Sequence, residues 1–183
     1  MRLEPARAED LTELHALIEQ AYRGETARTG WSHEADLLTG PRTSEAELRS
    51  FLEAGESLLV WREGGAIRAC VRLMNKGGGL AYLGMLTISP ALQGAGLGKR
   101  LLAAAEDYAR EQMGAERLEM QVFSRRRELL AFYDRRGYRP TGERRPFPYE
   151  EWPQAGALFE DLEFVVLEKS LLPPAEGGSR AGG

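Results

Sequence analysis

Apolar residues change their spacing repeatedly along the chain, and each change marks the boundary of a predicted helix or strand. Helical spacing begins at four points, near Glu9, after Ser44, at Leu97 and near Arg126. Strand-like runs lie between these stretches, at residues 2–5, 57–62, 66–75, 79–89, 117–123, 138–145 and 161–169. The pattern therefore predicts the order β-αα-βββ-α-β-α-β-β, with about seven strands and about four helices.

Local signals give the ends of several of these elements. Residues 44–47, "SEAE", have the form of a capping box, in which the first and fourth side chains each bond the other residue's backbone N–H. Gly55, Gly114 and Gly137 follow the last apolar positions of three helices, where glycine commonly ends a helix. Gly64-Gly65 predicts a tight hairpin between the second and third strands.

Two strands differ in their polarity. The run "LAYLGMLTIS" is apolar on both faces, which is typical of a central strand covered on each side. In "RLEMQVF", by contrast, Leu118, Met120 and Val122 face one way while Glu119 and Gln121 face the other. This second strand therefore presents a polar face that is available for chemistry.

The segment "QGAGLGK" at residues 93–99 joins a strand to a helix. A Walker loop needs Gly and then Ser or Thr at the positions held by Gln93 and Arg100, and a dinucleotide fingerprint counted from Gly94 needs Gly where the chain has Lys99. The spacing that fits is Gln-x-x-Gly-x-Gly, whose backbone N–H groups can converge on an anion such as a pyrophosphate at the positive end of the helix. A plain connection that uses glycine for positive φ explains the glycines equally well.

Two linked motifs resemble the GCN5-related N-acetyltransferase (GNAT) family. Residues 80–110 contain an apolar strand that ends in proline just before Gln-x-x-Gly-x-Gly and a long helix. The stretch "RLEMQVFSRRRELLAFYDRRGYRP" contains the family's strand, its short helix, and a Tyr-x-x-x-Gly-Tyr ending at Tyr133, Gly137 and Tyr138. Both motifs stand at the family's spacing, so the resemblance is strong over about residues 79–140.

The resemblance implies a single α/β domain over residues 1–171 with the GNAT fold, a central mixed β-sheet flanked by helices. It implies acetyl-CoA as the acyl donor and no metal, with two strands splaying into a V-shaped cleft for the pantetheine arm. By position, the backbone of Leu86, Thr87 and Ile88 faces that arm and the acetyl carbonyl, and the pyrophosphate lies against Gln93, Gly94, Ala95, Gly96, Leu97, Gly98 and Lys99. Many members have Asn where this chain has Arg126, so the usual contact to the pantetheine is replaced and Arg126 is a candidate for a phosphate contact instead.

The implied reaction is acetyl transfer to an amine by direct attack in a ternary complex. It needs a deprotonated amine, stabilisation of the tetrahedral oxyanion and a proton for the leaving thiolate. Tyr133 matches the family's general acid, since a phenol with a pKa of ~10 can protonate a thiolate whose thiol has a pKa near ~8.5. The alternative is an aromatic ring that only packs beside Phe132.

The general base is predicted less directly. Glu119 lies on the polar face of the strand next to the cleft, and it is either the base, acting directly or through water, or a surface or ion-paired carboxylate. Trp31, Glu34 and Asp36 fall in the loop that covers the acceptor site in the family, so Trp31 and Glu34 are candidates for binding the substrate and the two carboxylates are further candidates for the base. A solvated loop is the alternative for all three. His33 is a further candidate base because an imidazole titrates near neutral pH.

Composition restricts the class of protein. With 43% hydrophobic and 28% charged residues, and no apolar run of membrane-spanning length, the chain is predicted to be a globular protein without a membrane partner. Its N-terminus lacks a signal-peptide pattern, which predicts a cytoplasmic location. Cys70 is the one cysteine, so it excludes an intramolecular disulfide and a cysteine-rich zinc site. The Pro- and Gly-rich residues 172–183 predict a disordered tail.

Charge is distributed unevenly. Residues 99–145 carry 12 basic and 8 acidic side chains, whereas the chain as a whole has a net charge of −4, which argues against a nucleic-acid partner. The acidic flanking segments hint weakly at a cationic acceptor, and the predicted partner is a small-molecule or peptide amine. Exposed strands near the C-terminus favour a possible homodimer. The alternative function is a non-catalytic acyl-CoA-binding or regulatory module with the same fold.

Overall fold

A computed structural model describes residues 1–24, 34–92 and 94–174. The predicted order of elements is confirmed. The strands are β1 (Glu4–Pro5), β2 (Ser57–Glu63), β3 (Ala66–Gly77), β4 (Leu80–Ile88), β5 (Arg117–Phe123), β6 (Arg139–Pro146) and β7 (Glu163–Ser170). The helices are α1 (Leu11–Arg23), α2 (Glu45–Glu53), α3 (Leu97–Met113) and α4 (Arg127–Arg135). None of the described helices is both long and apolar enough to cross a membrane.

The described strands form one seven-stranded mixed sheet in the order β1-β2-β3-β4-β5-β7-β6. β4 occupies the centre, as its apolar faces predict, and it pairs with β3 antiparallel and with β5 parallel. A parallel pair needs a crossover connection, and α3 supplies it. One core cluster packs α3 and α4 against the sheet and a second packs α1 and α2 against it, so β4 is covered on both sides.

A bulge interrupts β4 at Met85, whose φ of 52° lies in the left-handed region. Arg72 of β3 pairs with Gly84 and Cys70 pairs with Thr87, so one residue of β3 lies opposite two residues of β4 between these pairs. A bulge bends its strand and leaves backbone groups outside the ladder. The non-glycine residue at positive φ marks a special position in the middle of the central strand.

Beyond its first residues, β4 separates from β5. The two strands pair only between Leu80–Tyr82 and Arg117–Glu119. The rest of β5 pairs with β7 on its other side. The second half of β4 therefore has no strand partner toward β5, and a gap opens between the two strands.

Cys70 is buried in the cluster beneath α1 and α2. Its thiol points at the carbonyl oxygen of Met85, with Sγ and O 3.9 Å apart. Burial raises the pKa of the Cys70 thiol to about 12. The side chain therefore fills the core as a neutral thiol.

The predicted capping box at α2 forms only in part. The Ser44 hydroxyl accepts a hydrogen bond from the Glu47 N–H at 3.1 Å, as expected. The Glu47 carboxylate accepts from the Thr43 hydroxyl at 2.8 Å, and it makes no bond to the Ser44 N–H within the described chain. The Glu47 carboxylate is therefore directed away from the cap.

Candidate active site

A cavity of about 700 Å³ occupies the gap between β4 and β5. Its walls come from the second halves of these two strands, from the start and inner face of α4, from the connection between α1 and α2, and from the segment after β6. The sequence "RRPFPYEEWP" at residues 144–153 thus reaches the cavity, through Arg145, Phe147 and Trp152. Phe147 also packs against Phe123, so the same segment closes a small core of its own.

The glycine turn stands at the start of α3. Gly94 and Gly96 have φ values of +92° and +68°, a region where an L side chain is strained, and Gly96 is the N-cap residue of the helix. Leu97 is buried and fixes the helix to the core, whereas Ala95 and Lys99 are exposed. The turn therefore leaves backbone N–H groups and a lysine open at the positive end of a 17-residue helix, which suits an anion. Gly98 lies within the same first turn of the helix, and Gln93 lies outside the described residues.

Of the three β4 residues predicted to face the cofactor, Leu86 lines the cavity, and all three are buried. Thr87 and Ile88 pair with β3 on one side. The carbonyl of Leu86 accepts a hydrogen bond from the Tyr22 hydroxyl at 3.0 Å, which ties the bulge to α1. This bond could not be predicted from the sequence, because the helical pattern of α1 predicts only that Tyr22 is buried.

Tyr133 reaches the cavity from α4. Its ring is 4% exposed and packs edge-to-face against both Phe132 and Tyr138, at centroid distances of 5.3 and 5.7 Å. Its hydroxyl has no hydrogen-bond partner among the described residues, and the side chain lines the cavity. Burial raises the pKa of Tyr133 well above its ordinary value, although the nearby Arg126 acts to lower it. The phenol is therefore protonated at neutral pH and has a hydrogen to donate.

Arg126 lies just before α4 as its N-cap residue and also lines the cavity. Its positive charge acts to lower the pKa of Tyr133 and that of Tyr22, which lies on the opposite wall. This position at the N-terminus of α4 is the one where many family members have asparagine and this chain has Arg126. Arg126 thus adds a cation on the α4 side of the cavity.

Glu119 is held by two cations from neighbouring strands. The Nζ of Lys76 lies 2.8 Å from one carboxylate oxygen and the Nη2 of Arg145 lies 3.0 Å from the other. The side chain is 6% exposed, so these are buried ion pairs. Glu119 is therefore an ion-paired carboxylate, one of the alternatives that its sequence pattern left open, and each of its two oxygens contacts one cation.

Glu34 belongs to the wall made by the α1–α2 connection. Its carboxylate accepts a hydrogen bond from Arg23 at 2.8 Å, and Arg23 also donates to the carbonyl of Gly40. The N–H of Gly40 in turn donates to the Ala155 carbonyl at 2.8 Å, which joins this connection to the segment after β6. Glu34 thus lines the cavity. Asp36 is exposed nearby.

Trp31 and His33, the other candidates in this loop, lie outside the described residues. Several cavity residues were not singled out from the sequence, and Arg42 and Glu47 are two of them. Arg42 stands alone in a polar stretch with no spacing signal, and Glu47 was explained by the capping-box pattern. Only the folded arrangement brings these two side chains to the same wall as Glu34.

Comparison with known proteins gives a consistent result. The sequence model of the Acetyltransferase (GNAT) family matches residues 12–138. Among curated proteins, no sequence relative is found. The ribosomal-protein-S18-alanine N-acetyltransferase from Escherichia coli has a similar structure, with a TM-score of 0.70 at 16% identity over 96% of each chain.

Two further solved structures have the same fold. A spermidine N-acetyltransferase chimera from Vibrio cholerae and hSSAT matches with a TM-score of 0.67 at 17% identity, over 93% of this chain and 95% of that one. A Salmonella typhimurium protein solved with its cofactor acetyl-CoA matches with a TM-score of 0.64 at 18% identity, over 98% of both chains. At these identities the likeness concerns the fold.

Proposed function

Because the chain belongs to the acetyltransferase (GNAT) family and is an acyltransferase, we propose that it transfers an acetyl group from acetyl-CoA to a primary amine of a small molecule or peptide. The observation that carries the proposal is the cavity between the separating strands β4 and β5, with the protonated phenol of Tyr133 in its wall. The solved proteins of this fold include one with acetyl-CoA bound, and others are named for acetylating spermidine or a ribosomal-protein alanine. These names supply the reaction class and leave the acceptor open.

We assign acetyl-CoA, the acyl donor, to the second half of β4 and to the glycine turn that follows it along the chain. The backbone N–H groups of Gly94–Lys99, with Gln93 before them, bind the pyrophosphate at the start of α3. The pantetheine arm follows the open edge of β4 along Leu86, Thr87 and Ile88. Arg126 contributes a positive charge to a phosphate or to the arm from the α4 side. The thioester then lies at the β4 bulge.

The transfer itself needs no covalent enzyme intermediate. The amine nitrogen attacks the thioester carbon, and the backbone at the β4 bulge stabilises the oxyanion that forms. When the C–S bond breaks, the Tyr133 hydroxyl gives its proton to the thiolate sulfur, and the amine proton leaves to a base or to water. The apolar surroundings raise the pKa of Tyr133, which weakens it as an acid, but they also disfavour a free thiolate, so the two effects of burial on the proton transfer oppose each other.

Glu119 remains the carboxylate that we propose as base, acting through water or after one of its ion pairs opens. Replacing it with glutamine leaves Lys76 and Arg145 facing an uncharged amide in a buried position. We expect Glu119→Gln to lose about 3 kcal/mol of unfolding free energy, measured by urea denaturation. A base role requires in addition that kcat fall about a hundredfold. An unchanged urea midpoint contradicts the importance of these pairs, and an unchanged kcat assigns the base elsewhere.

The proposed function is tested by following thiol release. The protein is incubated with acetyl-CoA and a panel of primary amines, and coenzyme A binding is measured separately by calorimetry. We expect amine-dependent release of free coenzyme A with at least one member of the panel. No amine-dependent release, together with no binding of coenzyme A, overturns the proposal. Binding without release with any amine favours the non-catalytic module.

A further inference from the structure

The cavity wall carries more positive than negative charge. Among the described residues, six lysine and arginine side chains line it, and two carboxylates do. The cations are Arg23, Arg42, Arg72, Lys76, Arg126 and Arg145, and the carboxylates are Glu34 and Glu47. This local charge is the opposite of the chain's net charge of −4, and it is the local charge that a bound acceptor meets.

Most of these cations are already neutralised by carboxylates. Each of four cations has a carboxylate partner within 4 Å, and Glu34 is the one of these partners that itself lines the cavity among the described residues. Arg23 pairs with Glu34, Arg72 with both oxygens of Glu56, and Lys76 and Arg145 share Glu119. These four are therefore part of the wall's own structure.

Arg42 is different, because no carboxylate of the described chain lies within 4 Å of its guanidinium. Its side chain lies over the Tyr22 ring, with Cζ 5.1 Å from the ring centroid. Burial acts to lower the pKa of Arg42, but Glu34 and Tyr22 raise it above its ordinary value overall, so the group is always charged. A partly buried guanidinium with unused donors is a binding group for an anion.

The backbone around Arg42 is fixed before any ligand arrives. One carboxylate oxygen of Glu19 accepts hydrogen bonds from the N–H groups of Arg42 and Thr43, at 2.7 and 2.8 Å. Tyr22, on which the guanidinium lies, is bonded to Leu86 at the β4 bulge. Tyr22 thus contacts both the Arg42 guanidinium and the β4 bulge, where we place the thioester. None of Gly94–Lys99 lines this cavity, so the pyrophosphate that we assign to the glycine turn lies outside it.

Glu47 is the counterpart of Arg42 on the same wall. Its carboxylate accepts from Thr43 and has no cation within 4 Å in the described chain. The wall therefore offers a cation and a carboxylate, each without an ion-pair partner within 4 Å in the described chain, and both lie on the short segment that leads into α2. An acceptor that brings a carboxylate and an ammonium group matches both.

We propose that the acceptor is a free amino acid, or an amine with an equivalent carboxylate, whose carboxylate is bound by Arg42 and whose amine enters beside Glu47. This inference rests on the proposed function. A guanidinium binds a carboxylate through two parallel hydrogen bonds and so orients the molecule as well as holding it. A polyamine brings a second cation toward Arg42 in a partly dehydrated cavity, where repulsion between like charges disfavours it. Binding the carboxylate near Tyr22 directs the amine toward the bulge.

The test compares each amino acid with its own amide. Thiol release from acetyl-CoA is measured with the standard amino acids other than cysteine, whose own thiol would be counted, with their C-terminal amides and with spermidine. We expect at least one free amino acid to have a kcat/KM about tenfold or more above that of its amide. Arg42→Gln is expected to raise KM for that amino acid about tenfold and to bring the acid-to-amide ratio near one, because only the acid uses the guanidinium. The exposed Arg49 on α2 gives the matched control, Arg49→Gln, which is expected to keep the wild-type ratio.

The possible failures are distinguishable. Acetylation of amides or spermidine without any preference for a free amino acid overturns the inference and leaves acetyl transfer standing. Binding of coenzyme A without turnover of any amino acid overturns it as well, and an acid-to-amide preference that survives in Arg42→Gln overturns the role of Arg42. If Arg42→Gln does not fold, as judged by its melting curve, the comparison of acids with amides on the unaltered protein and on Arg42→Lys decides the acceptor class.

Discussion

Tyr133→Phe is expected to lower kcat for acetyl transfer by about a hundredfold while the Kd for coenzyme A changes by less than about twofold. The substitution removes one oxygen that has no hydrogen-bond partner in the described chain, so the buried ring and its contacts with Phe132 and Tyr138 remain. The loss therefore falls on the step that protonates the thiolate. It is measured by steady-state thiol release and by calorimetric titration of coenzyme A.

Tyr138→Phe is the matched control for this experiment. The Tyr138 hydroxyl donates to Glu106 at 2.9 Å, and Tyr138 does not line the cavity. We expect the control to lose about 1–2 kcal/mol of stability and to keep kcat within about threefold. Equal kcat in Tyr133→Phe and the unaltered protein contradicts the acid role.

The pH profile adds a second readout for Tyr133. Attack needs the neutral amine, so the rate rises with pH as the acceptor loses its proton. The pKa of Tyr133 lies above its ordinary value because the ring is buried, so the acid remains protonated to a higher pH than a free phenol. The alkaline fall in rate is therefore expected above pH ~10, the ordinary phenol pKa. A fall centred below that pH assigns the proton donor to another group.

Substituting both Gly94 and Gly96 by alanine is expected to raise the Kd for acetyl-CoA about thirtyfold or more. Each position has a positive φ that costs an L residue about 1–2 kcal/mol, and nothing lies within 4 Å of an added Cβ at either position. The turn therefore relaxes through its backbone and not through a steric clash, and its N–H groups no longer converge on one anion. Calorimetric titration with acetyl-CoA measures the effect.

Gly114→Ala is the control, because it imposes the same backbone strain at the other end of the same helix. Gly114 is the C-cap of α3 with φ of 65°, and an added Cβ meets nothing there either. We expect a loss of about 1 kcal/mol in stability and an unchanged Kd. If the double variant binds acetyl-CoA as tightly as this control, the glycine turn does not hold the donor.

The sequence was sufficient for features encoded by neighbouring residues. The period of the apolar positions predicted every helix and strand in order, since each signal lies within one element. The glycines after α2 and α3 end their helices with positive φ, as predicted. Tyr133 could be located because it begins the Tyr-x-x-x-Gly-Tyr motif of fixed spacing, and its side chain lines the cavity.

Features made by distant residues could not be predicted in this way. The carboxylate of Glu119 meets Lys76 of β3 and Arg145 of β6, which are 43 and 26 positions away along the chain. Its alternation in β5 showed only that it faces away from the apolar side. Arg42 depends likewise on Glu19 of α1 and on the ring of Tyr22, and a lone arginine in a polar connection gives no pattern. The bulge at Met85 lies in a strand that is apolar on both faces apart from Thr87, so no change in the spacing of apolar residues marked it.

The buried thiol of Cys70 simplifies every kinetic measurement proposed for this enzyme. Colour reagents for thiols, such as aromatic disulfides, react with the exposed thiolate, and Cys70 is the only cysteine of the chain, enclosed in the core with its pKa raised to about 12. The thiol of the native protein therefore does not react with the reagent, and continuous colour development measures the release of coenzyme A. The same reagent becomes a reporter of unfolding when one equivalent of protein thiol appears, so a single cuvette can distinguish a variant that is slow from one that has lost its fold.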